Sequence, residues 1–242
     1  MMTSVLITRS ESQGSKLKSE FESMGITVML QPAIEILPPE SWSEVDRVIS
    51  CLVEFDWILF SSGNAVKFFT SRLNGIKFPE SLKVGVVGNA TDDIFFELTG
   101  KRADIVPEIS NAENLLAKVL SVENIVQKRF LLPRANRGRD ILSKGIIESG
   151  GIVEEITAYR SIDCKEPKEE IVELMKQNKI NWVTVTSPAI AESLVNMFGE
   201  LLRKTKIISI SPITTAKLNA LGHPPTKESK ETTTEGIIKE IM

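Results

Sequence analysis

One histidine, one tyrosine and two cysteines are all that this chain of 242 residues offers to much of enzyme chemistry. The single histidine, His223, removes a three-histidine zinc site and the HExxH pattern, and leaves a Ser-His-Asp triad only one base. Cys51 and Cys164 are far apart and form no CxxC, which speaks against a disulfide framework or a cysteine zinc site and fits a reducing cytosol. GxGxxG and GxxxxGK[ST] are both missing, and Gly85-Val86-Val87-Gly88 lies within a strand-like run rather than at a phosphate turn. No apolar run approaches the ~18 residues of a membrane span. Met1-Met2-Thr3-Ser4 leads straight into Val5-Leu6-Ile7-Thr8 with no basic segment or signal-peptide core. Neither sign of charge dominates: 29 Lys and Arg stand against 32 Asp and Glu, a net charge of −3 that argues against a dedicated nucleic-acid binder. The expectation is a soluble cytoplasmic protein that binds no metal and has neither nucleic acid nor membrane as partner.

What is present is repetition. Val5-Leu6-Ile7-Thr8-Arg9 resembles Phe130-Leu131-Leu132-Pro133-Arg134, 125 residues later. Leu17, Gly25 and Val28 match Leu142, Gly150 and Val153 at the same offset. Asp56-Trp57-Ile58-Leu59-Phe60-Ser61-Ser62 resembles Asn181-Trp182-Val183-Thr184-Val185-Thr186-Ser187, and Val87-Gly88-Asn89-Ala90-Thr91 resembles Ile210-Ser211-Pro212-Ile213-Thr214. Matches that keep their order with little drift read as an internal duplication. Each repeat alternates strand and helix. β-Rich runs fall at 4–8, 26–30, 56–61, 84–88, 104–107, 129–133, 152–156, 181–186 and 207–211. Helical spacing joins Leu17, Phe21 and Met24, then Val66, Phe69 and Leu73, then Leu115 with Val119 and Leu194 with Met197. Such alternation implies parallel sheets covered on both faces, here two similar α/β domains of about five strands each. Breaks stand at Leu37-Pro38-Pro39-Glu40, where the prolines fix an extended chain, and at Arg160–Pro167. Both follow a second strand, so the chain is expected to cross between domains twice.

Ligands of doubly wound sheets bind beyond the carboxyl ends of the strands, at helix N-termini. Those places hold Thr8-Arg9-Ser10, Ser61-Ser62-Gly63-Asn64, Gly88-Asn89-Ala90-Thr91, Pro133-Arg134-Ala135-Asn136-Arg137, Thr186-Ser187-Pro188-Ala189 and Ser211-Pro212-Ile213-Thr214-Thr215. Any one such turn is explained by N-capping. Six of them, three in each half, describe two polar rims able to hold several anions. The basic stretch Lys128–Lys144 reads either as a solvated helix face or as attraction for an anionic ligand. Tyr159 is either packing at a strand end or a proton donor beside the domain crossing. His223 reads as a surface turn residue, Trp57 and Trp182 as core, and the two cysteines as inert.

These pieces together resemble the uroporphyrinogen-III synthase (HemD) family over essentially the whole chain. The resemblance rests on Leu6-Ile7-Thr8-Arg9, Gly25, Pro32, Asp56 to Val66, Val86-Val87-Gly88-Asn89-Ala90-Thr91 and Ala112-Glu113-Asn114-Leu115. It continues through Leu132-Pro133-Arg134, Gly150, Ala158-Tyr159, Val185-Thr186-Ser187 and Ser211 to Ala216. It implies two doubly wound α/β domains joined by a two-stranded linker, with residues 1–35 and 165–242 in one domain, 40–158 in the other, and linkers at 36–39 and 159–164. It implies cyclisation of hydroxymethylbilane to uroporphyrinogen III, with loss of water and inversion of the last ring through a spiro intermediate. No cofactor or metal is implied. The protein would act as a monomer that receives its substrate from hydroxymethylbilane synthase.

By the same resemblance, Tyr159 matches the tyrosine proposed to assist hydroxide departure. Ser62, Gly63, Asn64, Thr91, Ser187, Pro188, Ala189, Thr214 and Thr215 fall on the positions that line the family's cleft. Thr8, Arg9, Gly88, Asn89, Arg134 and Ser211 complete the expected substrate-binding set, with Arg9 and Arg134 open to a purely structural role. Ser211 stands where Gly is common in the family. A non-catalytic tetrapyrrole- or anion-binding module is the alternative, and it would have less need of Tyr159. A periplasmic or nucleotide-binding α/β protein would want the signal peptide and phosphate loop that are missing.

Overall fold

The structure, a computed structural model, describes residues 3–242, without the side chains of residues 11–13. Met1 and Met2, part of the stretch read as lacking a targeting core, lie outside it. In chain order the elements begin with β1 (Ser4–Ile7), α1 (Glu11–Ser23), β2 (Thr27–Leu30), β3 (Ile34–Leu37), α2 (Ser43–Ser50) and β4 (Trp57–Phe60). Then come α3 (Gly63–Thr70), β5 (Lys83–Val86), α4 (Asn89–Thr99), α5 (Ala112–Val122), β6 (Arg129–Ala135), α6 (Ile141–Glu148) and β7 (Ile152–Asp163). The last are α7 (Glu169–Lys176), β8 (Trp182–Val185), α8 (Pro188–Phe198), β9 (Lys206–Ser209), α9 (Pro212–Ala220), β10 (Lys227–Glu228) and α10 (Thr234–Ile241). They fall into two compact units, one ending at Ile36 and resuming at Ile162, the other spanning Leu37–Ser161.

The first unit is built on a parallel sheet of order β10-β9-β8-β1-β2. Alternation along β1 explains why helices cover both faces. Leu6 joins Val183, Val185 and Ile207 with Ile171, Ile190 and Leu194 of α7 and α8 on one face. Val5 and Ile7 join Trp182 and Ile208 with Leu17, Phe21, Ile237 and Ile238 of α1 and α10 on the other. Side chains that alternate sides at every residue leave no polar face, so β1 and β8 are apolar or capped throughout.

The second unit has sheet order β3-β7-β6-β4-β5. Trp57, Leu59, Phe130 and Leu132 face Leu115 and Val119 of α5 and Leu142 and Ile146 of α6. Phe60 points the other way, edge-on to Phe69 of α3 at 5.8 Å and beside Phe95 of α4 at 6.0 Å. Burial of one such aromatic ring contributes roughly 1.5–3 kcal/mol.

Strand registers correspond between the sheets. Ser4 pairs with Thr27, and Arg129 with Ile152. Val5 pairs with Trp182, and Phe130 with Trp57. Trp182 pairs with Lys206, and Trp57 with Lys83. Each residue stands 123–125 positions from its counterpart.

Several sequence readings are corrected. Residues 104–107 make only an isolated bridge, Ile105 to Gly85, while β3 and β10 are strands the pattern did not signal. Lys227-Glu228 is too short and polar to show one. β7 runs on through the segment read as a linker to Asp163. Met24 lies past the end of α1 and is 49% exposed, so the apolar stripe of that helix ends at Phe21. His223 is buried, its N–H donating to the Leu218 carbonyl at 3.0 Å, not a surface residue.

Candidate active site

The β4–α3 turn shows how local sequence makes a site. Ser62 is extended and caps α3, its Oγ accepting the Ala65 N–H at 3.1 Å. At Gly63, which follows, a Cβ would sit 2.5 Å from Ile94 Cδ1, the flexible end of that side chain. The same Ser62 Oγ shares a hydrogen bond of 3.1 Å with the Tyr159 hydroxyl, and the Asn64 side chain also bonds the phenol. Phe68, one turn further along α3, stacks on the Tyr159 ring at 5.7 Å and 10° between planes. Burial raises the Tyr159 pKa above its ordinary value against the opposing hydrogen bonds of Ser62 and Asn64 and the charge of Arg134. The phenol is therefore neutral and proton-bearing at physiological pH, the state a general acid needs.

Gly88 stands just before α4 under a tighter constraint, since a Cβ would lie 2.0 Å from Ser110 Oγ and 2.6 Å from its Cβ. Asn89 is exposed at the first turn, whereas Thr91 is buried. Arg134, at the end of β6, is not a free cation: it pairs with Asp140 at 2.9 Å and Glu155 at 2.8 Å. Burial would lower its pKa, but those two carboxylates raise it. Three other cations of the basic stretch are balanced in the same way. Lys128 pairs with Asp56, Arg129 with Glu54 and Arg139 with Glu113, acids that lie outside the stretch in sequence.

In the first unit the rim lies at the ends of β1, β8 and β9. Thr8 is fully buried and its hydroxyl donates to the Thr184 carbonyl, so it braces adjacent strands and does not reach the rim. Ser187 caps α8 by accepting the Ile190 N–H at 3.2 Å, with Pro188 at the first position of the helix and Ala189 next, both part-exposed. Ser211 precedes α9 without a capping bond from its side chain; its Oγ lies 3.2 Å from Thr214 Oγ1. Thr214 is buried, and Thr215 hydrogen-bonds Ser209 and Glu228. Most hydroxyls of the six turns thus serve the chain itself. What they present outward is backbone N–H of first helical turns, which lacks intrahelical partners.

Arg9 differs. It is half-buried, burial pushes its pKa down, and among the described residues it has no ion pair or side-chain hydrogen bond. Its counterpart 125 residues on is the doubly paired Arg134. The sequence did not single out Phe68 or commit to Asn136. The only trace of Phe68 was the doublet Phe68-Phe69, of which one ring must leave the core face of a helix.

A model of the uroporphyrinogen-III synthase HemD family matches residues 15–239. The chain belongs to the uroporphyrinogen-III synthase family. It is 27% identical to the uroporphyrinogen-III synthase of Synechococcus elongatus over 98% of this chain and 93% of that one. It is 31% identical to the putative uroporphyrinogen-III synthase of Methanothermobacter thermautotrophicus over 89% of this chain and 88% of that one. Its fold is that of uroporphyrinogen III synthase from Thermus thermophilus, with TM-score 0.68 at 16% identity, covering 99% of this chain and 97% of that chain. The Helicobacter pylori uroporphyrinogen-III synthetase gives TM-score 0.63 at 16% identity over 100% and 98% of the two chains. The family cyclises hydroxymethylbilane in tetrapyrrole biosynthesis. No helix among the described residues is long and apolar enough to cross a membrane.

Proposed function

We propose that this chain is a uroporphyrinogen-III synthase, a cyclising hydro-lyase that turns hydroxymethylbilane into uroporphyrinogen III with loss of water and inversion of the last ring. The observation that carries the reading is a single buried, neutral tyrosine hydroxyl hydrogen-bonded to Ser62 at the head of α3. Tyr159 hands a hydrogen bond, then its proton, to the hydroxyl that leaves the terminal hydroxymethyl carbon as water. The substrate's acetate and propionate arms are anionic. Helix N-termini after Ser62, Gly88, Ser187 and Ser211 bind such groups through N–H donors without a large net positive charge. Arg9 supplies a full charge for one carboxylate. Gly63, Asn64, Asn89, Pro188, Ala189 and Thr215 shape these turns, while Thr91 and Thr214 support them from within.

Ring closure without inversion needs no enzyme, so the larger task is to hold the reacting ends. The chain works as a monomer in the cytoplasm, where two free cysteines are at home, and takes its substrate from hydroxymethylbilane synthase. Tyr159→Phe is expected to lower kcat by about 10-fold or more. Wild-type turnover in that variant, measured on hydroxymethylbilane generated in place, would remove the phenol from the mechanism.

A further inference from the structure

A parallel strand alternates its side chains, so a tyrosine at 159 belongs on the face of Thr157, toward α5 and α6. It is instead on the opposite face, against α3. The cause is a bulge. Arg134 of β6 pairs with Thr157, but the next residue, Ala135, pairs with Tyr159, leaving Ala158 extra. Burial records the slip: Ile156, Ala158, Tyr159 and Ser161 are all buried, two of them consecutive. A bulge of this kind re-aims a side chain and costs ladder bonds.

Asn136 secures the strand just past the bulge. Its N–H donates to the Tyr159 carbonyl at 3.1 Å, and its Oδ1 accepts the Ser161 N–H at 2.9 Å. One residue thereby ties β7 on both sides of Arg160. The turned ring then meets Phe68, which lies nearly parallel to it and is itself backed by Trp42 at 6.4 Å. The sheet fixes the backbone of Tyr159 and the helix fixes its ring, which leaves the hydroxyl within reach of Ser62.

The geometry points to Phe68 and Asn136 as positioning residues for the Tyr159 phenol, Phe68 acting on the ring and Asn136 on the bulged backbone. This rests on Tyr159 as the proton donor. Both residues are at least partly exposed, so their substitution spares the core. Tyr159 is the only tyrosine in the chain, so the tyrosinate absorbance of the intact protein reports its ionisation directly.

The test compares Phe68→Leu, Phe68→Tyr, Asn136→Ala, Asn136→Asp and Tyr159→Phe by steady-state kinetics, with an absorbance titration of the wild type, Phe68→Leu and Asn136→Ala. Loss of the stacked ring or of the amide acceptor is expected to lower kcat by about 10-fold with KM little changed. Phe68→Tyr, which keeps the aromatic face, and Asn136→Asp, which keeps the acceptor, are expected to restore kcat. In Phe68→Leu the phenol is uncovered, and its titration moves down toward that of an ordinary tyrosine. Wild-type kcat in Phe68→Leu and Asn136→Ala beside an impaired Tyr159→Phe would overturn the positioning role alone. A raised KM with kcat kept would overturn it in favour of substrate contact. Wild-type kcat in Tyr159→Phe would remove the donor, and this proposal with it.

Discussion

Arg9 and Arg134 occupy corresponding places at the ends of β1 and β6, yet their surroundings assign them different work. Arg134 spends its charge on Asp140 and Glu155. Arg9 keeps its charge in a partly desolvated setting, where a carboxylate ligand gains most. Arg9→Gln is therefore expected to raise KM for hydroxymethylbilane by about 10-fold, or ~1.4 kcal/mol, with an unchanged melting temperature. Arg134→Gln is expected to leave KM alone and to lower the melting temperature, because two carboxylates lose the partner they share. Equal KM effects from the two variants would refute this division. Sequence alone left both arginines open. The acids that engage Arg134 sit 6 and 21 residues away, and only the close approach of β6 and β7 shows that Glu155 is a partner.

Among the elements, the strand-to-helix turns were the most legible part, because Ser, Gly, Asn and Pro after an apolar run carry their reason with them. Their hydroxyl chemistry was not legible. Whether Ser62 serves its own helix or Tyr159 depends on a strand about 100 residues away, and it does both. The bulge in β7 was equally hidden, since nothing in Thr157-Ala158-Tyr159 announces an extra residue. β10 escaped notice for lack of apolar residues, and α10, packed through Ile237 and Ile238, also makes an ion pair with α1. Lys16 of α1 hydrogen-bonds Glu235 of α10 at 2.8 Å, and that bond first, then a backbone N–H and the Thr234 hydroxyl, lower the Glu235 pKa from 4.5 to about 2. A carboxylate depressed on folding adds stability above its unfolded pKa and loses it as pH falls toward the folded one. The melting-temperature gap between wild type and Glu235→Gln is thus expected to be present at neutral pH and to close between 4.5 and about 2. Both side chains are exposed, so the gap stays small. A gap independent of pH would show that the ion pair contributes nothing.

Across the whole molecule, the order of strands follows from the repeated pattern. β9-β8-β1-β2 in one sheet answers β5-β4-β6-β7 in the other, register for register. Each sheet therefore takes the first two strands of one half of the chain and later strands of the other half. The chain accordingly passes between units within β3 and β7. Composition and spacing were enough to reach two parallel α/β sheets, because Trp57 and Trp182 recur in equivalent apolar strands. They could not reach the proposed chemistry, which draws on Tyr159 of β7, Phe68 of α3, and Ser62 and Asn136 from two turns. By the proposed function, this assembly directs ring closure of a linear tetrapyrrole. The measurement that decides it is the isomer composition of the product. Hydroxymethylbilane is generated in place, the purified protein is added, and the oxidised porphyrins are separated by chromatography. Isomer III in excess over the spontaneous isomer I is expected. Isomer I alone, from folded protein, would contradict the synthase and leave a tetrapyrrole-binding module.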